Sequence, residues 1–284
     1  MSVSPVCSCL SCPTHPRSGC GSYPSSMTDE QWAVVEAVLP AAASQVGRGR
    51  PEVHARRSIL DAVFYLVAEG VRWRALPKEF PPWQTVYGFF TRWRDDGTWA
   101  RVHDALRDRV RVRAGRGPLP TAAVIDSQSV KGAETVGSTR RGYDAGKKIN
   151  GVKRHIAVDT LGLLLVVSVH SAGIQDRDGA FRLLSLLRER FSTIQMVWAD
   201  GGYAGRLLAW AARAIHLDVT IVKRTDDAKG FTVLPRRWVV ERTLAWLTRN
   251  RRLVRDYERR ADTHQAMTTI AMIALMSRRL ARPA

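Results

Sequence analysis

Asp126 and Asp200 each close a short apolar run: Val124-Ile125 precedes the first, and Met196-Val197-Trp198-Ala199 the second. Such runs read as buried strands, and ligands of open α/β sheets gather at strand ends. If the two strands are neighbours, the carboxylates face each other across a short gap. Like charges that close require a cation, and Mg²⁺, a hard ion that takes oxygen ligands, is the natural one. Glu241 lies in Arg236–Asn250, where Val240, Leu244 and Leu247 recur at helical spacing. It falls beside that stripe, on the side of Arg237 and Thr248, so a helix packed on the sheet could aim it at the two aspartates. Three such carboxylates can hold two metal ions about 3.5–4 Å apart. One ion activates water or a 3′-hydroxyl and the other stabilises the leaving oxygen of an in-line phosphoryl transfer. Each residue also has a simpler reading. An Asp at a strand end often forms a turn or caps a helix, and Asp200 is followed by Gly201-Gly202. Glu241 could merely pair with Arg237, four residues earlier.

The elements that would position these groups fall into two regions. From Thr28 to about Arg113 the signals are helical. Thr28 and Gln31 form a capping-box pattern, Trp32, Val35 and Leu39 follow, and Pro40 stops the run. A basic loop, Gly47–Pro51, leads to a helix carrying Ile59, Val63, Leu66 and Val67. Two more follow, one with Trp83, Val86, Phe89, Phe90 and Trp93, the other with Trp99, Val102, Leu106 and Val110. Most tryptophans here read as core. Short helices carrying Arg72, Arg74, Lys78, Arg92 and Arg94 suit a helix-turn-helix-like DNA-binding module, or an ordinary helical subdomain with solvated arginines. After the Gly/Pro-rich stretch Ala114–Pro120 the pattern alternates. Ala122–Asp126, His155–Asp159, Leu163–His170, Ile194–Ala199 and Asp218–Val222 read as strands. Thr160-Leu161-Gly162 reads as a hairpin turn. Asp176–Phe191, Ala204–Ile215, Arg236–Asn250 and Thr263–Leu280 read as helices. The whole is α/β with a mixed sheet. Gly132–Gly151, poor in apolar residues, reads as a loop that orders on a partner, with Glu134 and Asp144 solvated.

Val124-Ile125-Asp126-Ser127-Gln128-Ser129-Val130-Lys131-Gly132 resembles the first catalytic block of the DDE transposases of bacterial insertion sequences. So does Lys147-Lys148 with Gly151-Val152-Lys153-Arg154-His155 and the Asp159–Gly162 turn. Asp200-Gly201-Gly202-Tyr203 resembles the second block, and Arg236 through Thr243, on to Arg251-Arg252-Leu253, the third. Met27–Pro40 and Trp73–Trp99 resemble the helical region preceding the catalytic domain in the insertion-sequence-five family. The blocks occur in family order and cover nearly everything from Met27 to Leu280. The resemblance implies an RNase H-like mixed-sheet catalytic domain over residues 121–284. A helical, helix-turn-helix-like DNA-binding domain over 27–113 and a linker at 114–120 would precede it. It further implies Asp126, Asp200 and Glu241 as catalytic metal ligands, two Mg²⁺ or Mn²⁺ ions, and cleavage of element ends with joining of their 3′-hydroxyls to target DNA. In the clan's Tyr, Arg, Glu, Lys signature, Arg237 and Glu241 match. Leu234 stands at the Tyr place and Thr248 at the Lys place, with Arg249 adjacent.

The charge agrees with a polyanionic partner. There are 44 Lys and Arg against 26 Asp and Glu, a net +18, and phosphate neutralisation dominates DNA affinity. Lys131, Lys147, Lys148, Lys153 and Arg154 surround the first carboxylate, and Arg237, Arg242 and Arg249 the third. With Arg72 and Arg92 of the helical region, these are the candidate DNA contacts. Trp238 and Trp246 read as core or as base-stacking platforms. Two ends must be joined, so a dimer or higher assembly is expected. A DNA-binding repressor and an RNase H-fold metal nuclease are the competing readings. No run of 18 apolar residues exists, which excludes a helical membrane span. All four cysteines, Cys7, Cys9, Cys12 and Cys20, lie in residues 1–26. That segment reads as a disordered tail or as sequence ahead of a true start at Met27, with a zinc knuckle using His15 the other option. A body without cysteine fits a reducing cytoplasm.

Overall fold

The computed structural model describes residues 23–42, 52–222 and 237–283. The four cysteines, the Gly47–Pro51 loop, Leu234 and Arg236 lie outside them. Among the described residues the first α-helices are α1 (Asp29–Glu36), α2 (Arg56–Glu69), α3 (Trp83–Asp95) and α4 (Thr98–Arg113). The capping box at α1 is formed: the Gln31 amide donates to Thr28 Oγ1, and the Thr28 amide to Gln31 Oε1. Trp93 and Trp99 are buried, meeting edge to face at 5.0 Å.

A sheet then forms from β1 (Ala122–Gly132), β2 (Gly142–Asp144), β3 (Ile149–Val158), β4 (Leu164–Ser171), β5 (Met196–Ala199) and β6 (Asp218–Ile221). Its order is β2-β3-β1-β5-β6, with β4 also paired to β3 and the short β7 (Arg255–Asp256) to β1. β3 runs antiparallel to its neighbours β1 and β4, whereas β1, β5 and β6 run parallel. The parallel pairs are joined through α5 (Asp176–Arg190) and α6 (Arg206–Ile215), as parallel crossovers require. After β6 come α7 (Trp238–Thr248), α8 (Arg251–Val254) and the long α9 (Ala261–Ala281).

Alternation along β1 divides the core in two. Ala123 and Ile125 face α5 and α6, packing with Leu183, Leu187 and Leu207. Val124 faces the other way, joining Ile156, Val240, Leu247 and the α9 residues Met267, Ile270 and Ile273. That second core does not stop at the linker: Ile59, Leu66, Phe90, Trp99 and Leu106 of the first four helices belong to it. α9 is the reason. Buried residues lie on several of its faces, from Thr263 to Ser277, so it sits between the N-terminal helices and the sheet. Arg111 of α4 and Asp159 at the end of β3 form a buried ion pair across the same seam.

The stretch read as a loop, 132–151, is built structure. Val136 is buried against Val130, Val152 and Val169, and Gly142–Asp144 pairs with Ile149–Gly151. Its fixed point is Asp144, which accepts from Ser129 Oγ at 2.6 Å and lies 3.4 Å from Lys153. Asp144 is therefore an internal anchor rather than a solvated acid.

Candidate active site

Val124 of β1 pairs with Trp198 of β5. Two residues further, the same parallel register sets Asp126 against Asp200, one position past the end of β5. Asp126 shares the face of Val124, which α7 covers, and Ser127 turns to the α5 face. Burial, with the nearby Asp200 charge adding to it, pushes the Asp126 carboxyl up to about 6, against the pull of the Ser127 amide, Arg237 and Lys147. Asp200 caps the turn at Gly201–Tyr203, its Oδ1 accepting from the Gly202 amide at 2.9 Å. Its Oδ2 lies 3.7 Å from Arg237. The same guanidinium is 3.2 Å from Glu241 Oε1. The turn cap and the i, i+4 pair are thus both present, and they lie within one charge cluster.

Helix α7 is set against the sheet by the β3–β4 hairpin. Thr243 Oγ1 donates to the Gly162 carbonyl at 2.8 Å and Arg242 Nη2 to that of Leu161 at 3.0 Å. Gly162 has φ +81°, and a Cβ there would come within 2.8 Å of Thr243 Oγ1. Asp159 holds the hairpin from inside, accepting from the Leu161 and Leu163 amides. The turn that looked like a simple connection is the seat of the helix carrying Glu241.

The three carboxylates are brought to one end of the sheet, with Arg237 between Glu241 and the aspartates. Among the described residues, no three His, Cys, Asp or Glu side chains are grouped closely enough to hold a metal as they stand. The donor chemistry nevertheless suits a hard divalent cation: carboxylates at adjoining strand ends, one of them buried, where burial and the neighbouring Asp200 raise its proton affinity.

Behind Asp126, on the α5 face, lies a polar network of which sequence reasoning had only pieces. Lys147 Nζ donates to Ser127 O and Oγ, both at 3.2 Å, and Ser127 Oγ donates to Asp176 Oδ1 at 2.8 Å. Lys153 Nζ is 2.8 Å from Asp176 and donates to the Ile174 carbonyl. Burial would raise Asp176, but His155, Lys153 and Ser127 hold it well below the usual carboxylate range. His155 and His170 meet at 3.1 Å, and burial pushes both down, His170 to about 4, so both stay neutral at neutral pH. Gly179 of α5 lets them in: a Cβ there would lie 2.3 Å from the His155 ring. Asp176 carried one signal in the sequence, a carboxylate at a helix start.

Two expected DNA contacts are corrected. Lys153 and Arg154 are 4% and 0% exposed. Consecutive residues of a strand point to opposite faces, and β3 is covered on both, so neither reaches solvent. Lys153 serves the network just described. Arg154 is bonded to Gln128 and lies 3.3 Å from His264 Nε2, tying β3 to β1 and α9. Arg242 is only half-exposed, packed 4.2 Å from the Trp238 ring and 4.7 Å from that of Trp246, with Arg279 also over Trp246. Trp238 is 40% exposed and Trp246 partly so, hence neither is a true core residue. Lys131, Lys147, Lys148, Arg249, Arg72 and Arg92 are exposed. No helix among the described residues is long and apolar enough to cross a membrane.

Comparison with known proteins meets the same residues. The family described as "Transposase DDE domain" matches residues 117–276, and "Putative transposase of IS4/5 family" matches residues 27–103. A Burkholderia cepacia protein named "Putative transposase for insertion sequence element IS402" is 35% identical over 124 residues, 41% of this chain and 58% of that protein. The match thus spans less than two thirds of that relative. A second protein of the same organism, "Insertion element IS402 uncharacterized 16.2 kDa protein", is 31% identical over 107 residues, 36% of this chain and 71% of its own length. The mixed sheet is accordingly an RNase H-like one, and the chain belongs to the DDE transposases of insertion sequences.

Proposed function

We propose that the chain is the transposase of its own insertion sequence. It binds the element's terminal inverted repeats, cleaves at their ends and joins the freed 3′-hydroxyls to target DNA. The observation that carries this is the meeting of Asp126 and Asp200 at adjoining strand ends, with Glu241 reached through a shared arginine. These three residues would hold the divalent metal, Mg²⁺ or Mn²⁺ as two ions. When bound, the metal supplies Lewis-acid activation of the attacking oxygen and charge stabilisation at the leaving one.

The remaining work falls to the chain. β1 and β5 set the spacing of the two aspartates, and the hairpin at Gly162 fixes the helix of Glu241. Lys147, held to Ser127 one residue from Asp126, presents a cation to a phosphate entering the site. The exposed Lys131, Lys148, Arg249, Arg72 and Arg92 neutralise the flanking backbone. Residues 27–113 contribute end recognition and residues 121–284 chemistry. Joining two ends requires two copies of the chain on DNA, acting in the bacterial cytoplasm.

The test is an Mg²⁺- or Mn²⁺-dependent assay on DNA carrying the gene's flanking repeats, comparing wild type with Asp200→Asn. Metal-dependent cleavage and joining by wild type alone is expected. Hydrolysis without joining would make the protein a nuclease, and specific binding without cleavage by either protein would make it a repressor.

A further inference from the structure

The charge cluster at the site contains a cation of its own. Arg237 immediately precedes α7, and its Nη2 lies 3.2 Å from Glu241 Oε1 and 3.7 Å from Asp200 Oδ2. Its charge is also felt by Asp126. One guanidinium therefore lies against two of the three carboxylates, with the third close enough to feel its charge. Its side chain is 18% exposed, unlike the solvated arginines elsewhere on the surface. A divalent ion taking oxygens from Asp200 and Glu241 needs them within about 2.0–2.6 Å. It would have to stand where the guanidinium now satisfies both, so the two cations exclude each other by space and by charge.

We propose that Arg237 is a resident counter-ion of the carboxylate site, which the metal must displace, so that the free protein loads metal poorly until DNA draws the guanidinium away. The proposal rests on the metal-dependent reading above and adds an order of events to it. A planar guanidinium pairs in bidentate fashion with phosphate as well as with carboxylate. A DNA backbone gathered by the exposed Lys131, Lys147 and Lys148 offers Arg237 an alternative partner. Its departure vacates the space between Asp200 and Glu241 for the ion. DNA binding and metal loading then favour each other, as linkage requires, and the protein is restrained from cutting DNA before an end is engaged.

The experiment measures Mn²⁺ affinity, not turnover. Mn²⁺ is titrated into DNA-free wild type, Arg237→Gln, Arg237→Met, Arg237→Lys and the double variant Arg237→Gln, Asp200→Asn, following the spin resonance of the free ion. It is then titrated into wild type and Arg237→Gln bound to a pre-cleaved terminal-repeat duplex. Both neutral variants are expected to bind Mn²⁺ at least about tenfold more tightly than wild type, the scale on which one charge acts at such distances. Arg237→Lys should stay near wild type. On the duplex, wild type should approach Arg237→Gln to within about threefold. Equal or weaker Mn²⁺ binding by both neutral variants overturns the proposal, because Arg237 would then organise the site instead of competing for it. A gap between wild type and Arg237→Gln that persists unchanged on DNA overturns the coupling. If the double variant Arg237→Gln, Asp200→Asn binds Mn²⁺ as tightly as Arg237→Gln alone, the carboxylate site itself is misassigned, a result distinct from either.

Discussion

Asp126 is where function and stability pull apart. A carboxyl raised to about 6 by burial, against an ordinary value of 3.8, means that the folded protein holds its proton more tightly than the unfolded chain does. Below about pH 4 both states are protonated and nothing is lost. Between about pH 4 and 6 the charge develops, and above about 6 the metal-free protein bears its full cost. Asp126→Asn should therefore stabilise the chelator-treated protein by roughly 1–3 kcal/mol at pH 7.5 and scarcely at all near pH 4. Thermal melts at the two pH values check this. The same substitution should abolish cleavage while leaving end binding largely intact, since on the proposed mechanism it removes a metal ligand and no phosphate contact. Adding Mn²⁺ should raise the melting temperature of wild type more than that of the variant. The candidate carboxylates were readable from sequence because each sits at a nameable place, two at the ends of apolar runs and one beside a helical stripe. The pairing of Arg237 with Glu241 was readable too, but its reach to Asp200 was not, since that depends on the register of β1 with β5 and the seating of α7, both set by contacts far apart in the chain.

At the scale of elements, the seating of α7 on the hairpin is the feature most exposed to a single change. Gly162→Ala places a Cβ against Thr243 in a left-handed backbone conformation. It should destabilise the protein by roughly 1–3 kcal/mol in urea unfolding. It should also lower the cleavage rate more than end affinity, because the displaced element carries Glu241 but few of the exposed cations. Thr243→Val, which leaves the buried Gly162 carbonyl without its side-chain donor, should cost about 1 kcal/mol. Helices with an apolar stripe and strands bounded by turns could be read along the chain, and most lie within a few residues of the expected limits, but β1 runs six residues further at its end and β3 starts six residues earlier. Residues 132–151 could not. Their order comes from Asp144 held by Ser129 and Lys153, and from one buried valine, neither of which leaves a local period. The misplacement of Lys153 and Arg154 on the surface has a related cause. A basic pair in a strand looks solvated until both faces of that strand are known to be covered.

For the whole molecule, the continuous core and the Arg111–Asp159 pair bind the N-terminal helices to the RNase H-like sheet. Asp159→Ala strands a buried guanidinium and removes the acceptor for two hairpin amides. The expected loss is about 3–5 kcal/mol, with residues on both sides of the linker unfolding in one transition, as circular dichroism and tryptophan fluorescence together would report. End binding should weaken steeply with salt, log affinity falling linearly with log salt concentration. A flat response would assign the +18 charge to something other than phosphate. Composition pointed to a polyanion. The Gly/Pro-rich stretch at 114–120 pointed to a boundary, and it marks a turn of the chain that the core crosses. Because α9 supplies a wall on which α1, α2 and α4 pack, the core of these N-terminal helices is completed only when α9 is present. A gene copy that decays by a premature stop before residue 261 should therefore leave those helices with an uncovered apolar face and weaken any end-binding fragment. Such decay would silence an element while making only a weak poison for its intact siblings.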